Sequence, residues 1–320
     1  MANNATPLEL DNSKRSHFVA CPRKYLLAHH YGLSGKYGRT ALRYGTAWHG
    51  MMEGYYSDIK NNGWGESNLE VANEFGVKAW NDATEEAEIW VDDYRSYENC
   101  LTAFMHYTSE FASDRNFLKV IDTETLFKIP MVITPEEEQH FPLVARNGVT
   151  FTGKLDLHCT LSGQNWIMEF KTTGQSLALQ LARLERTPQL IGYNYAARQL
   201  GYDIAGNLVS MHHILSRKSN VTEQYGKVTM TFQRQPHIYT TGDLDEWRNS
   251  FLFTAEQILQ AGELNQFPMM FDSCYQFGPC GYLPLCQQNR VPEDLDTGNY
   301  VTKFWDVLKT GHGRIKEATG

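Results

Sequence analysis

Apolar positions along the chain change their period twice. Over residues 40 to about 60 they recur at three- and four-residue steps, which predicts an amphipathic helix. Ser67-Asn68-Leu69-Glu70 reads as a capping box opening a second helix, and residues 91 to about 113 predict a third. From residue 120 the period drops to two, over 120–133, 149–161 and 165–172. Arg146-Asn147-Gly148 and Ser162-Gly163 are the expected turns of this meander. Thr187-Pro188 supplies an N-cap and first helical residue for a helix that Gly201 closes. Strands near 208–216 and 227–233, an amphipathic helix over 243 to about 263, and a Pro-, Gly- and Cys-rich loop over 265–290 complete the pattern. The expected fold class is α/β, as a single domain over 1–320 with a helical region at about 40–116 and an α/β core at about 117–262.

Alternation within 149–161 sets Val149, Phe151, Gly153, Leu155, Leu157 and Cys159 on one face and Thr150, Thr152, Lys154, Asp156, His158 and Thr160 on the other. In the next run Glu169 and Lys171 share the side of Ile167, opposite Trp166, Met168 and Phe170. Pairing through Ser162-Gly163 brings Asp156 across from Glu169 and Lys171. Two carboxylates that close raise one pKa, whereas a divalent cation between them favours both charges, and oxygen ligands suit Mg²⁺ or Mn²⁺. The same residues also fit a ladder of alternating charge on a half-exposed sheet. His49 with Glu53, and Gln189 with Tyr193, are i,i+4 pairs on helix faces, a pattern shared by ordinary packed or solvated surfaces.

Hydrophobic content of 42% and charge of 21% are ordinary globular values, and no run approaches the ~18 apolar residues of a membrane span. The net charge of -8 is uneven: residues 61–98 hold ten acids against Lys78 and Arg95, and the remainder balances. Within that remainder Lys14, Arg15, Arg23, Lys24, Lys36, Arg39 and Arg43 follow one another without an acid, so 14–43 is either a phosphate-binding surface or a solvated basic face. The N-terminus lacks the basic start and apolar run of a signal peptide, which predicts a reducing cytoplasm where the six cysteines are ligands or core residues. Cys100 and Cys159 sit in helical and strand patterns and are expected in the core. Cys274, Cys280 and Cys286 are spaced Cys-x5-Cys-x5-Cys, while Cys21-Pro22 lies near the other end. Four thiolates suit a cluster or a zinc site; without the close Cys pairs of zinc sites, [4Fe-4S] is favoured and zinc is the alternative.

Six pieces then fall in one order over nearly the whole chain: Cys21-Pro22-Arg23-Lys24-Tyr25, Gly45-Thr46-Ala47-Trp48-His49, Gly153-Lys154-Leu155-Asp156, Glu169-Phe170-Lys171-Thr172-Thr173, Gln189-Leu190-Ile191-Gly192-Tyr193 and the cysteine triplet. This set resembles the iron-sulfur branch of the PD-(D/E)xK nucleases, like the nuclease domains of bacterial recombination helicase-nucleases, the CRISPR-associated iron-sulfur exonucleases and their tailed-phage relatives. The resemblance implies a restriction-endonuclease-like core, a mixed sheet flanked by helices, with an N-terminal helical region and a C-terminal iron-sulfur loop. It implies His49, Asp156, Glu169 and the Phe170 carbonyl as ligands of Mg²⁺ or Mn²⁺, Lys171 orienting or deprotonating the attacking water, and Gln189 and Tyr193 supporting the site. It joins Cys21 with Cys274, Cys280 and Cys286 in a [4Fe-4S] cluster, although many relatives have a shorter first spacing in the triplet. The implied activity is a metal-dependent DNA exonuclease on single strands or duplex ends, in replication, recombination or repair, with Arg23, Lys24, Arg39 and Arg43 toward DNA. A separate helicase or recombinase is the expected partner, because Gly32-Leu33-Ser34-Gly35-Lys36-Tyr37 is not a Walker A loop. The alternative is a non-catalytic iron-sulfur subunit that binds nucleic acid while a partner cuts; an intact Asp156, Glu169 and Lys171 set argues against it.

Overall fold

A computed structural model describes all residues except 1–6, 39, 86–87, 90–93, 220–224, 277, 289–295, 310–314 and 319–320. The chain opens with β1 (Leu8–Leu10) and α1 (Asn12–Ala20), whose N-cap Asp11 accepts from Lys14 N at 2.8 Å. Next come α2 (Pro22–Tyr25), a π-helical turn (Leu26–His30), β2 (Leu33–Gly35) and β3 (Tyr37–Gly38). The helical region is α3 (Thr40–Asn62), α4 (Ser67–Glu85), β4 (Glu88–Ile89), α5 (Tyr97–Glu110) and α6 (Asp114–Phe117). The core follows as β5 (Leu118–Pro130), α7 (Pro142–Asn147), β6 (Val149–Leu161) and β7 (Gln164–Thr173). It continues through α8 (Leu177–Leu184), α9 (Pro188–Gln199), β8 (Gly206–Leu215), β9 (Thr229–His237) and α10 (Thr241–Leu264). Last are α11 (Leu283–Cys286), β10 (Tyr300–Thr302) and β11 (Ile315–Glu317).

The principal sheet runs β11-β5-β6-β7-β8-β9, with β1 added alongside the start of β6. It is mixed: β5, β6 and β7 are antiparallel neighbours, as are β8 and β9, whereas β7 and β8 run parallel across the α8–α9 crossover. Both faces are covered. One carries α3 and α5 through Trp48, Met52, Phe104 and Tyr107, and the other carries α9 and α10 through Leu190, Tyr193, Trp247 and Phe251. The central fold is therefore the expected mixed sheet between helical layers.

Several local expectations change on folding. Ser67 lies inside α4 and donates to Asp58 at 3.0 Å, as do Asn62 and Asn68, because the buried Asp58 carboxylate at the α3–α4 corner is the stronger acceptor. The third helix starts at Tyr97, with Ser96 accepting from Asn99 N; residues 91–93 lie outside the described ones. Arg146-Asn147-Gly148 is not a hairpin turn but the end of α7. Glu256 of α10 accepts from Leu143 N and Val144 N there, and Gly148 closes the helix at φ 74°. Ser162-Gly163 is the expected tight turn, both residues at positive φ. The single apolar face predicted for β6 divides: Val149, Phe151 and Leu155 join the α9–α10 core, while Leu157 and Cys159 join the α3–α5 core.

Among the described residues no helix is long and apolar enough to cross a membrane. The chain's two ends are folded onto one another. Arg23 N donates to Pro268 O at 3.1 Å, Ser273 Oγ to Ala20 O at 2.7 Å, and β10 pairs with β2.

Candidate active site

The site lies where β6 parts from β7. Their ladder runs from Leu161↔Gln164 to Leu157↔Met168, and just beyond it Phe170 N donates at 3.0 Å to the Asp156 side chain. On the other side β5 is irregular: its register shifts between Val120 and Asp122, and Glu124 has a φ of 48°. Such a backbone is costly for a non-glycine residue and persists only where its surroundings enforce it. Asp156 is thus carried just beyond the end of the β6–β7 ladder, opposite the irregular stretch of β5, with Glu169 on β7.

β7 supplies a closed network. Glu169 Oε1 accepts from Lys171 Nζ at 2.6 Å and from Gln189 Nε2 at 3.0 Å. Lys171 Nζ also donates to Gln189 Oε1 at 3.0 Å, and Gln189 Nε2 donates to Tyr193 OH at 3.2 Å. The i,i+4 spacing of Gln189 and Tyr193 on α9, which Thr187 caps, puts both side chains over β7. His49 of α3 brings its Nδ1 to 3.5 Å from Asp156 Oδ2. The structure therefore brings together Asp156, Glu169, Lys171, Gln189, Tyr193 and His49. Asp156 is 7% exposed and Glu169 2%, which excludes a solvated surface ladder.

Burial, and then the charge of Asp156, push the Glu169 carboxyl up to about 7, against the opposing pull of Lys171. Burial alone draws Lys171 down, but Glu169 and Asp156 more than offset it, so the ammonium is held above its ordinary value. Burial outweighs Asp156 at His49 and lowers its pKa, which leaves a neutral ring with a lone pair to offer. Glu169 Oε2 is buried without a hydrogen-bond partner. An orphaned carboxylate oxygen, a second carboxylate, a neutral imidazole and the Phe170 carbonyl are donors of the kind a hard divalent cation takes, although among the described residues the side chains are not drawn together as a preformed group.

A second carboxylate-ammonium pair, Glu124 with Lys154, flanks Asp156. Glu124 is 5% exposed, and burial, joined by Asp156 and Glu53, pushes it up to about 8 although Lys154 opposes. Sequence reading placed Lys154 on the face of Asp156 and Glu53 on the face of His49, but gave Glu124 no role. The signal available was a glutamate in the middle of an otherwise strand-like run.

Of the four cysteines of the expected cluster, Cys21 lies against the segment before Cys274, and Cys274 and Cys280 are joined through their backbone. Met270 N donates to Cys21 Sγ at 3.4 Å and Cys280 N to Cys274 O at 2.8 Å. Cys286 is raised by burial and then by Cys21, with Cys280 and Cys274 adding to it; Cys274 is raised by burial, Cys21 and Cys280. Cys100 and Cys159 are buried core residues. Among the described residues no three His, Cys, Asp or Glu side chains are drawn together as a group that could hold a metal ion. The described basic residues are held by local contacts. Arg23 Nε donates to Phe267 O, Lys24 is half-buried beside His17 and His29, and Arg43 lies 3.8 Å over the Trp80 ring with its Nε on Trp80 O. Arg39 lies outside the described residues.

A family model described as the PD-(D/E)XK nuclease superfamily matches residues 12–287. A search of curated proteins gave no match. A solved structure titled "Crystal structure of SSO0001" aligns with 81% of this chain and 89% of its own, at 10% identity and a TM-score of 0.31.

Proposed function

The chain belongs to the PD-(D/E)XK nuclease superfamily, and we propose that it is a metal-dependent DNA exonuclease acting on single strands or duplex ends in replication, recombination or repair. The observation that carries the reading is Glu169: one oxygen is clamped by Lys171 and Gln189, and the other is buried without a partner near Asp156. Asp156, Glu169, His49 and the Phe170 carbonyl would hold Mg²⁺ or Mn²⁺. Bound there, the ion supplies Lewis acidity toward a phosphodiester and a water of lowered pKa.

The chain's own residues do the rest. Lys171, kept protonated by its carboxylate neighbours, orients the attacking water through Nζ and stabilises charge developing on the phosphate. Gln189 fixes Lys171 and Glu169 in one geometry, and Tyr193 fixes Gln189. Cys21, Cys274, Cys280 and Cys286 would hold a [4Fe-4S] cluster, with zinc as the alternative; the contacts that bring Cys21 to the C-terminal loop support it, Met270 N donating to Cys21 Sγ at 3.4 Å and Cys280 N to Cys274 O at 2.8 Å.

Labelled single-stranded DNA tests the activity. Cleavage in Mn²⁺ that stops in EDTA is expected, and products from 5'- and 3'-labelled strands give the polarity. A wild-type protein inert on single strands and duplex ends in either metal refutes the reading.

A further inference from the structure

A second cluster, unused by this chemistry, borders the site. β7 ends at Thr173, two residues past Lys171, and a Cβ on Gly174 would meet Arg95 Nη2 at 2.5 Å, Tyr94 OH at 3.2 Å and Ile214 O at 3.4 Å. The chain entering α5 therefore folds over the carboxyl ends of the parallel strands β7 and β8, the end at which open α/β sheets take ligands. Asn99 Nδ2 donates to Tyr94 O at 2.7 Å and holds this segment. From the opposite side the chain leaving β8 returns upon itself. Lys218 and Tyr225 form an antiparallel bridge, Gly226 N donates to Arg217 O at 3.0 Å, and Ser216 Oγ donates to Gly226 O at 2.8 Å.

The two segments meet at Tyr94 and Tyr225, whose rings are edge to face with centroids 5.2 Å apart. Each ring carries a cation, Arg95 Cζ at 4.6 Å from the Tyr94 centroid and Lys218 Nζ at 5.9 Å from that of Tyr225. Arg217 and Lys218 are exposed and the tyrosines half-buried. Glu98, which follows in α5, is turned onto its own N–H and Ser96. Two tyrosine rings interleaved with three cations, beside a phosphodiester-cutting centre, match the chemistry of an unpaired strand: bases stack on rings and phosphates meet cations.

We propose that Tyr94, Arg95, Arg217, Lys218 and Tyr225 form a subsite for the unpaired nucleotides flanking the scissile position of a single DNA strand. It rests on the nuclease reading and narrows it to single strands and frayed ends, since in a duplex both faces of each base are already covered by neighbours. Arg217 and Lys218 are exposed beside the half-buried Tyr225 ring, where the phosphates flanking a stacked base would meet them.

Anisotropy of labelled oligothymidylate and of a blunt hairpin duplex, both in EDTA, tests this without cleavage. Tyr225→Leu preserves apolar volume but removes the π-face; it should weaken oligothymidylate about tenfold, within the range for loss of one stacked base, and leave the duplex nearly unchanged. Tyr225→Phe should bind as the wild type does. Lys218→Gln should weaken oligothymidylate and reduce its log K against log salt slope by roughly 0.7, the amount for one phosphate that is no longer neutralised. The proposal is overturned if the wild type does not bind oligothymidylate, or if Tyr225→Leu, at an unchanged unfolding midpoint, affects neither probe or both equally. Cleavage is scored separately in Mn²⁺. Tyr225-dependent binding without cleavage defeats the nuclease reading alone, and cleavage indifferent to Tyr225 and Lys218 defeats the subsite alone.

Discussion

Glu169 and Glu124 set the pH response at the scale of the residue. Both carboxyls stand above the 4.5 of a free glutamate, at about 7 and about 8, with burial the largest cause. A raised acid binds its proton in the folded chain before the unfolded one does, so its contribution to stability is complete below pH 4.5 and is lost as pH rises through the folded values. In EDTA, stability should fall between about pH 5 and 8, by at most about 1.4 kcal/mol per pH unit for each proton, read from urea midpoints. Glu124→Gln should flatten the upper part of that slope. Asp156→Ala, Glu169→Ala and Lys171→Ala should each abolish cleavage while DNA binding survives, and His49→Ala should lose much but not all of the rate. Because the half-buried Lys171 is paired with the buried Glu169, Glu169→Ala also removes the ammonium's partner and should destabilise the fold, whereas Glu169→Gln should fold more stably and still not cut. Near wild-type cleavage by Glu169→Gln would exclude the assigned role.

Two strands and one helix set the geometry at the scale of elements. β7 sets Glu169 and Lys171 toward Gln189 of α9, whereas β6, past the end of its ladder with β7, stays paired with the irregular stretch of β5 that contains Glu124. The Glu124–Lys154 pair ties those two strands together beside Asp156. Glu124→Gln should release Lys154 toward Asp156, where an ammonium competes with a divalent ion. We expect a Mn²⁺ requirement for half-maximal rate raised roughly tenfold, the usual order when a hydrogen-bond partner behind a metal ligand is removed, with little change in rate at saturating metal. An unchanged Mn²⁺ titration would leave Glu124 a purely structural residue. The turn between β6 and β7 was legible because two residues at positive φ have a local signature; the α7 helix was not, because its N–H groups are satisfied by Glu256, far along the chain.

The proposed cysteine centre concerns the whole molecule, because it would tie both ends of the chain. A crosslink from Cys21 to Cys274 closes so long a loop that the unfolded chain is restricted by on the order of 4 to 5 kcal/mol. Cys21→Ala should lose iron, acid-labile sulfide and brown colour, and unfold at lower temperature, with activity falling as a consequence. Cys100→Ala, in the core among the α3–α5 residues, should retain the iron. Anaerobically purified protein holding zinc and no sulfide would replace the cluster by a different metal and keep the staple.

Periodicity, turns and caps are properties of near neighbours, so the α/β class, the long strands and most long helices could be read before folding. So could the spacing that sets Glu169 beside Lys171 and Gln189 beside Tyr193, because a strand period of two and a helical turn fix which side chains share a face. Strands of three residues such as β1, β10 and β11 carry too short a pattern to read: β1 and β11 form on the longer β6 and β5, and β10 forms only against the equally short β2 from the other end of the chain. The parting of β6 from β7, the burial of both faces of β6, Glu124 against Lys154, and Tyr94 against Tyr225 were decided only by tertiary structure. Each depends on which distant segments pack together, and burial, which sets the charge and hydrogen-bonding of this site, is a property of that packing.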